Sequence, residues 1–158
     1  AKVGEEFIKH ELDEAIAIQE CIVDAESALA AAHPRSTAKR VIKSALEATL
    51  RLDPKHAEAH VALGAYHAEV VDKMGAMVAR LTYGASREVA IKHFDTALKL
   101  VPDSAIARIE YANALVLLFG DKRMDDAVDL YEKAAAAAPV EAMEKLDVEL
   151  AKSELEEE

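Results

Sequence analysis

Histidine is the residue type in this sequence most able to do chemistry, and three histidines lie close together in residues 56–67. His60 and His67 are seven residues apart, which places them on one face of a helix, and His56 precedes His60 by about one turn. Imidazoles on one helical face can bind a metal ion, so His60 and His67 are candidate ligands. Both also lie within an apolar stripe, and packing in the core is the stronger interpretation.

Other catalytic patterns are weak. Neighbouring acids such as Asp125 and Asp126, or Glu110 and Asp103, are expected by chance in a chain with 30 Asp and Glu residues. The segment HELDE at 10–14 lacks the second histidine of a zinc-protease helix. The sequence also has no glycine-rich phosphate loop and no Gly-x-Ser-x-Gly turn. We therefore expect a non-enzymatic protein without a cofactor.

The charge balance argues against two classes of partner. Nineteen Lys and Arg residues against 30 Asp and Glu residues give a net charge of -11, which repels phosphate backbones and anionic lipids. The longest apolar run, residues 111–119, is about half of a membrane-spanning helix. We expect neither nucleic-acid binding nor membrane insertion. The single cysteine, Cys21, cannot form an internal disulfide and so does not indicate the redox compartment. The first residue, Ala1, is compatible with a removed leader. Both a cytoplasmic and a periplasmic location therefore remain open.

The spacing of the apolar residues predicts an all-α chain in one domain, residues 1–158. These residues recur every three or four positions, and no alternation is long enough for a strand. Prolines separate several of the periodic segments, because proline interrupts helices. The predicted helices span residues 5–32, 36–52, 55–81, 86–100, 104–119, 122–137 and 140–155. In the turn at 83–86, Ser86 is the expected N-cap of the next helix.

A ladder of small and aromatic residues repeats ahead of the prolines, at five, eight and twelve residues upstream. Before Pro102 the ladder is Ala97, Phe94 and Ala90, and before Pro139 it is Ala134, Tyr131 and Ala127. Before Pro54 the same positions hold the degenerate set Thr49, Leu46 and Ile42. A small residue lets two helices approach and an aromatic fills the space between helix pairs.

The ladder, together with AEAHVALGAYH at 57–67 and AIKHFDTALKLVP at 90–102, resembles the tetratricopeptide repeat (TPR). The resemblance implies a TPR-like right-handed α-solenoid, an α–α superhelix of about three helix pairs and a C-terminal capping helix. We expect Met143, Leu146 and Leu150 of that helix to face inward. The expected segments are an N-terminal helix (1–34), the second helix of a degenerate first repeat (35–54), an elongated second repeat (55–102), a third repeat (103–139), and the capping helix with an acidic tail (140–158).

The second repeat is longer than the family pattern. Pro54 and Pro102 are 48 residues apart, whereas a TPR unit has about 34 residues. The apolar stripe continues in register, which predicts one long helix over 55–81. The apolar face of its extension would be Val70, Met74, Met77, Val78 and Leu81. We expect the N-terminal helix, a second subunit or a partner to cover that face.

The elongated repeat, with LGAYH at 63–67, also resembles bacterial relatives of the regulator-of-microtubule-dynamics family. A weaker similarity, in IEYANALVLLFGD at 109–121 and EAMEKLDVELAKSELE at 141–156, connects the chain with the TPR-like periplasmic component of TRAP-type transporters. The first resemblance implies a protein-interaction scaffold and the second an accessory subunit for solute capture or transport. Neither implies catalysis.

The concave face of a TPR array is the usual peptide groove. By alignment that groove would comprise Glu58, Val61, Ala65, Glu69, Ile106, Ile109, Asn113 and Val116, with Leu117 beside them. The groove would be apolar with acidic edges. Ile109 stands at the position where family members that bind a peptide's terminal carboxylate carry a lysine, so that positive charge is missing. The sequence therefore predicts a protein–protein interaction module that binds a helical partner or peptide through this groove or through helix 55–81. The chain's own N-terminal helix is an equal candidate for the groove, and a homodimer is a further alternative.

Overall fold

The computed structural model describes residues 34–139 and 141–156, and most of these residues are helical. No strand occurs within this part of the chain, which confirms the all-α class. The chain divides into two compact units, residues 1–45 and 46–158. The predicted helix 5–32, and with it the N-terminal helix proposed to cover the extended repeat, lies outside the described residues.

Six α-helices form most of the described part. They are α1 (Pro34–Leu52), α2 (Ala57–Met74), α3 (Arg87–Leu100), α4 (Ala105–Phe119), α5 (Met124–Ala135) and α6 (Ala142–Glu156). Between α2 and α3, Ala76–Val78 forms one helical turn and Ala79–Tyr83 a π-helical turn. A 3-10 turn, Gly120–Arg123, leads into α5.

The helices of the second unit pack as successive pairs. Helix α2 packs against α3, α4 packs against α5, and α2 also lies beside α4. Helix α6 closes this arrangement by packing on α5 and α4. The repeated ladder lies on the inner faces of α3 and α5. Its buried members are Ala90, Phe94, Ala97, Ala127 and Ala134, and Tyr131 is partly buried.

One aromatic contact joins three of these helices. Phe94 of α3 is fully buried, and its ring lies where a side chain on Gly64 of α2 would be: a Cβ there would come within 2.7 Å of the ring. The other partner of Phe94 is Tyr111 of α4, whose ring stacks on it at 5.0 Å between centroids and 6° between planes. The absence of a side chain at residue 64 therefore sets the distance between α2 and α3.

The hydroxyl group fixes the Tyr111 ring in this stack. It donates a hydrogen bond to Oδ1 of Asp95, at 3.1 Å. Burial and the neighbouring Asp95 carboxylate raise the pKa of Tyr111 to about 12. The phenol therefore keeps its proton, and remains a donor to Asp95, at every pH at which the protein would be handled.

The predicted continuous helix over 55–81 is wrong, because the helix is interrupted at Gly75. Helix α2 ends at Met74, and Gly75 has φ 76° and ψ 149°, a conformation almost confined to glycine. The Gly75 amide still donates to the Val71 carbonyl at 2.9 Å, so the break comes directly after the last helical hydrogen bond. The apolar stripe stays in register across the break and gives no sign of the change in direction.

The turn before α3 follows the sequence prediction. Ser86 is the N-cap of α3, and its hydroxyl oxygen accepts a hydrogen bond from the Val89 amide at 3.2 Å. Ala79, where the π-helical turn begins, and Ala85, which follows the turn, are fully buried. These two alanines anchor the segment between α2 and α3 to the core.

The predicted inner face of the terminal helix is also wrong. Val148 and Ala151 of α6 are buried, whereas Met143, Leu146 and Leu150 are exposed. Val148 and Ala151 cluster with Ala134 of α5. Small side chains permit a close approach of the two helices, and the larger apolar residues of α6 are left on the outside.

The contact between Gly64 and Phe94 can be tested by substitution. We expect Gly64→Ala to lower the free energy of unfolding by about 1 kcal/mol, because overpacking a fixed core costs ~1–3 kcal/mol. The better helix propensity of alanine offsets ~1 kcal/mol of that cost. Urea unfolding followed by circular dichroism measures the difference.

A double-mutant cycle separates overpacking from other causes. In a Phe94→Leu background the added methyl group has room, so Gly64→Ala is expected to be neutral or stabilising there. An equal loss in both backgrounds would contradict the proposed packing.

Candidate functional site

An open groove of about 520 Å³ lies along α2 and α4, where these helices run side by side. Helices α5 and α6 contribute to its far wall. Its lining is Ala65, Ala68, Glu69, Glu110, Asn113, Ala114, Val116, Leu117, Met124, Tyr131 and Glu154. Three of these eleven residues are alanines, and two of them, Ala68 and Ala114, are buried.

The structure brings together most of the central residues that the sequence predicted for the groove. Those in the lining are Ala65, Glu69, Asn113, Val116 and Leu117. Val116 and Leu117 are 37% and 46% exposed, which is enough surface to bind an apolar side chain. The groove therefore has an apolar strip on α4 facing the alanines of α2.

The remaining predicted groove residues lie elsewhere. Ile109 is buried in the cluster that contains Val148 of α6, so the terminal helix occupies this part of the predicted surface. Val61 packs against the core from its partly buried position. Glu58, in the first turn of α2, pairs with His56, and Ile106 lies in the first turn of α4; neither belongs to the lining.

Asn113 is already engaged by a neighbouring side chain. Its Oδ1 accepts a hydrogen bond from the Tyr131 hydroxyl at 2.6 Å. Sequence reasoning placed Tyr131 in the ladder and missed its role in the groove wall. The position of Tyr131 in the ladder could have indicated this contact, because an aromatic residue that packs between two helix pairs can reach the surface that both pairs line.

Acidic side chains surround the apolar strip. Glu69, Glu110 and Glu154 are in the lining, and among the described lining residues there is no lysine or arginine. Partial burial, and then the negative charge of Glu69, raise the pKa of Glu110. Glu69 also bonds to Lys73, with Nζ 3.0 Å from its Oε2. The groove is therefore a negatively charged, partly desolvated site, and it favours a cation.

The predicted alternative surface on the extended segment is present only in part. Val70 is buried in the core, whereas Met74, Met77, Val78 and Leu81 are exposed. Val70 lies on the packed part of α2, whereas Met74 is the last residue of that helix and the other three residues follow the break at Gly75. Val70 is thus a core residue, and the other four form a separate apolar surface.

The histidines form a packed cluster between α2 and α3. Nδ1 of His60 lies 2.9 Å from Nδ1 of His93, and the His67 and His93 rings stack with centroids 5.9 Å apart. His67 is buried, and its Nδ1 accepts from the Ser86 amide at 3.4 Å. His93 lies outside the pair that the sequence singled out, although it sits beside Phe94 in the ladder helix.

Hydrogen bonding determines how the His60 and His93 rings share their protons. Nε2 of His60 lies 3.2 Å from the Pro54 carbonyl oxygen, which can only accept, so this nitrogen carries a proton. Neutral His60 then accepts at Nδ1 from the Nδ1–H of His93. The hydrogen bond between the two rings needs a neutral ring as its acceptor, so it cannot form when both rings are cationic.

This geometry does not favour the metal site considered for His60 and His67. Nδ1 of His67 and both ring nitrogens of His60 already face protein partners. In the described ranges, no group of three or more His, Cys, Asp or Glu side chains is placed to hold a metal ion. The cluster is therefore a polar part of the α2–α3 interface.

The position of His93 makes the stability of this interface depend on pH. Burial, followed by electrostatic repulsion from His60 and Lys92, lowers the pKa of His93, while Glu47 opposes the shift. Below pH ~6.5 the unfolded chain then binds a proton that the folded chain resists. Stability contributed by neutral His93 is present above that pH and is lost as the pH falls towards the folded-state pKa.

We expect His93→Asn to reduce the loss of stability between pH 7.5 and pH 5.5 relative to the wild type. Glu47→Gln removes the opposing charge and should increase that loss. Urea unfolding at both pH values measures the two effects. Equal pH dependence of the wild type and His93→Asn would contradict the assignment.

Comparisons with protein-family models, curated proteins and solved structures found no match to this chain. Among the helices within residues 34–139 and 141–156, none combines the length and apolar composition needed to span a bilayer. The geometry and charge of the groove are therefore the basis for a functional conclusion.

Proposed function

We propose that this protein is a TPR-like interaction module whose groove binds an amphipathic helix of a partner protein, with basic residues beside its apolar stripe. The observation that carries the proposal is the groove along α2 and α4, which combines an apolar strip with three carboxylates. Grooves of this kind bind helices through apolar anchors spaced three or four residues apart.

The arrangement of the helices supports the TPR-like assignment. Pairs α2/α3 and α4/α5 follow each other along the chain, and their first helices lie side by side. The small residue Gly64 and the aromatic Phe94 meet at the contact within the first pair, as the repeat pattern requires. In such an array the first helices of successive pairs line the concave surface, and the groove lies on these two helices.

The charge of the groove supports a cationic partner. The Glu110 carboxyl is partly buried and faces the negative charge of Glu69, and both effects oppose its ionisation. A lysine or arginine placed between these two carboxylates would remove the repulsion. Complementary charge also excludes acidic helices, because like charges brought together at an interface are costly.

Two model peptides test the preference for charge. Both are helical, with leucines at positions i, i+3, i+4 and i+7, and they differ only in carrying lysine or glutamate on the flanks. By fluorescence anisotropy at low salt, we expect the lysine peptide to bind with a Kd on the order of 10–100 µM. We expect the glutamate peptide to bind at least about tenfold more weakly.

Variants then locate the binding site. Glu69→Gln with Glu110→Gln is expected to weaken the lysine peptide about three- to tenfold, since each partly exposed ion pair contributes modestly. The matched control is Asp125→Asn with Glu132→Gln, two exposed carboxylates outside the groove lining. Equal binding of both peptides, or an equal loss in the control, would contradict the proposal.

A further inference from the structure

Met74, the last residue of α2, and three residues after the break at Gly75 form an exposed apolar surface, here called the ridge: Met74, Met77, Val78 and Leu81. Met77 is 75% exposed and Leu81 is 78% exposed, although buried Ala79 lies between them. Ala79 fixes the turn to the core, so the ridge is held in place by packing beneath it. A fixed apolar surface of this kind is typical of a contact site.

A second apolar surface lies on the outer side of α6. This terminal stripe consists of Met143, Leu146 and Leu150, of which the first two are 68% and 62% exposed. The opposite side of the helix, with Val148 and Ala151, packs on the rest of the second unit. Helix α6 is therefore apolar on two sides, and packing covers only one of them.

The two surfaces differ in the charges that accompany them. Residues 73–87 contain Lys73, Arg80 and Arg87 and no acid, although Asp72 and Glu88 flank the segment. Arg80 is exposed in the middle of the ridge, next to Leu81. The ridge therefore presents a cation beside its apolar side chains.

The terminal stripe has the opposite charge. At 100° per residue, Asp147 and Glu154 border the stripe on one side and Glu149 borders it on the other. Lys145 falls on the far side of the helix, more than about 100° from the centre of the stripe, whereas Lys152 pairs with Glu149, with its Nζ 2.8 Å from Oε1. The edge of the stripe at Asp147 and Glu154 is therefore acidic.

We propose that the ridge of one molecule docks on the terminal stripe of a second molecule, with Arg80 beside the acidic edge at Asp147. Apolar side chains meet in the middle of this contact and opposite charges meet at its border. Ridge against ridge, or stripe against stripe, would bring like charges together, so the unlike pairing is favoured. A second copy supplies the complementary surface without any other protein.

This contact joins two different surfaces, so each molecule keeps one free surface of each kind after the first contact forms. Such an interface continues into a ring or an open chain of molecules. Three or four side chains on each partner bury less than the ~1,200 Å² of a standard interface. We therefore expect weak association, with a Kd on the order of 10–100 µM.

Sedimentation velocity of the full 158-residue chain tests the proposal, over about 1–300 µM. The wild type should form species larger than a dimer as the concentration rises. Leu81→Asp removes the ridge and Leu146→Asp removes the terminal stripe, so each variant alone should be monomeric. Their equimolar mixture should form a complex of only two molecules, because one intact surface of each kind remains. Leu52→Asp, at an exposed leucine of α1, is the control and should associate like the wild type.

Charge reversal provides a second test that does not depend on placing an acid in an apolar surface. Arg80→Glu and Asp147→Lys should each weaken association at least about threefold, and mixing the two variants should restore it. The proposal is overturned by a monomeric wild type over the whole range, by self-association of Leu146→Asp, or by a mixture that does not associate. In those cases another part of the chain or another protein covers the two surfaces.

Discussion

The contact between the Phe94 ring and the backbone at Gly64 determines the geometry of the second unit. Any side chain at residue 64 would overlap the ring, which is fully buried, and close-packed interiors leave little room for a ring to shift. The other face of Phe94 stacks on Tyr111. One aromatic residue thus sets the spacing of α2, α3 and α4, and the groove follows from that spacing because it lies along α2 and α4.

The groove combines stable packing with an electrostatic cost. Ala68 and Ala114 are buried, and their small side chains let α2 and α4 lie close together beside the groove. Glu110 is partly buried beside Glu69, an arrangement that opposes its ionisation in the free protein. Partly buried acids with shifted pKa values are typical of binding sites, and a cationic side chain would relieve this cost.

The sequence predicted the buried face of a helix where the size and spacing of its side chains allow only one packing arrangement. The small–aromatic–small ladder identified the buried side of α3 and α5, and five residues of the groove followed from the same alignment. The break at Gly75 was missed because helical periodicity records side-chain direction and not backbone torsion. The sequence of α6 has apolar residues on two faces of the helix. The face that contains the small residue Ala151 is buried, and the face that contains Leu146 is exposed. Hydrophobicity alone does not choose between such faces, because the neighbour's shape decides.

The central claim is that the groove is where a basic amphipathic helix binds. The most direct measurement is an NMR titration of isotopically labelled protein with the lysine-flanked leucine peptide. The account predicts that the largest shift changes fall on the groove lining, at Ala65, Val116 and Leu117. If the largest changes fell instead on α3, at residues such as Lys92 and Lys99, the peptide would be binding outside the groove. That result would contradict the account.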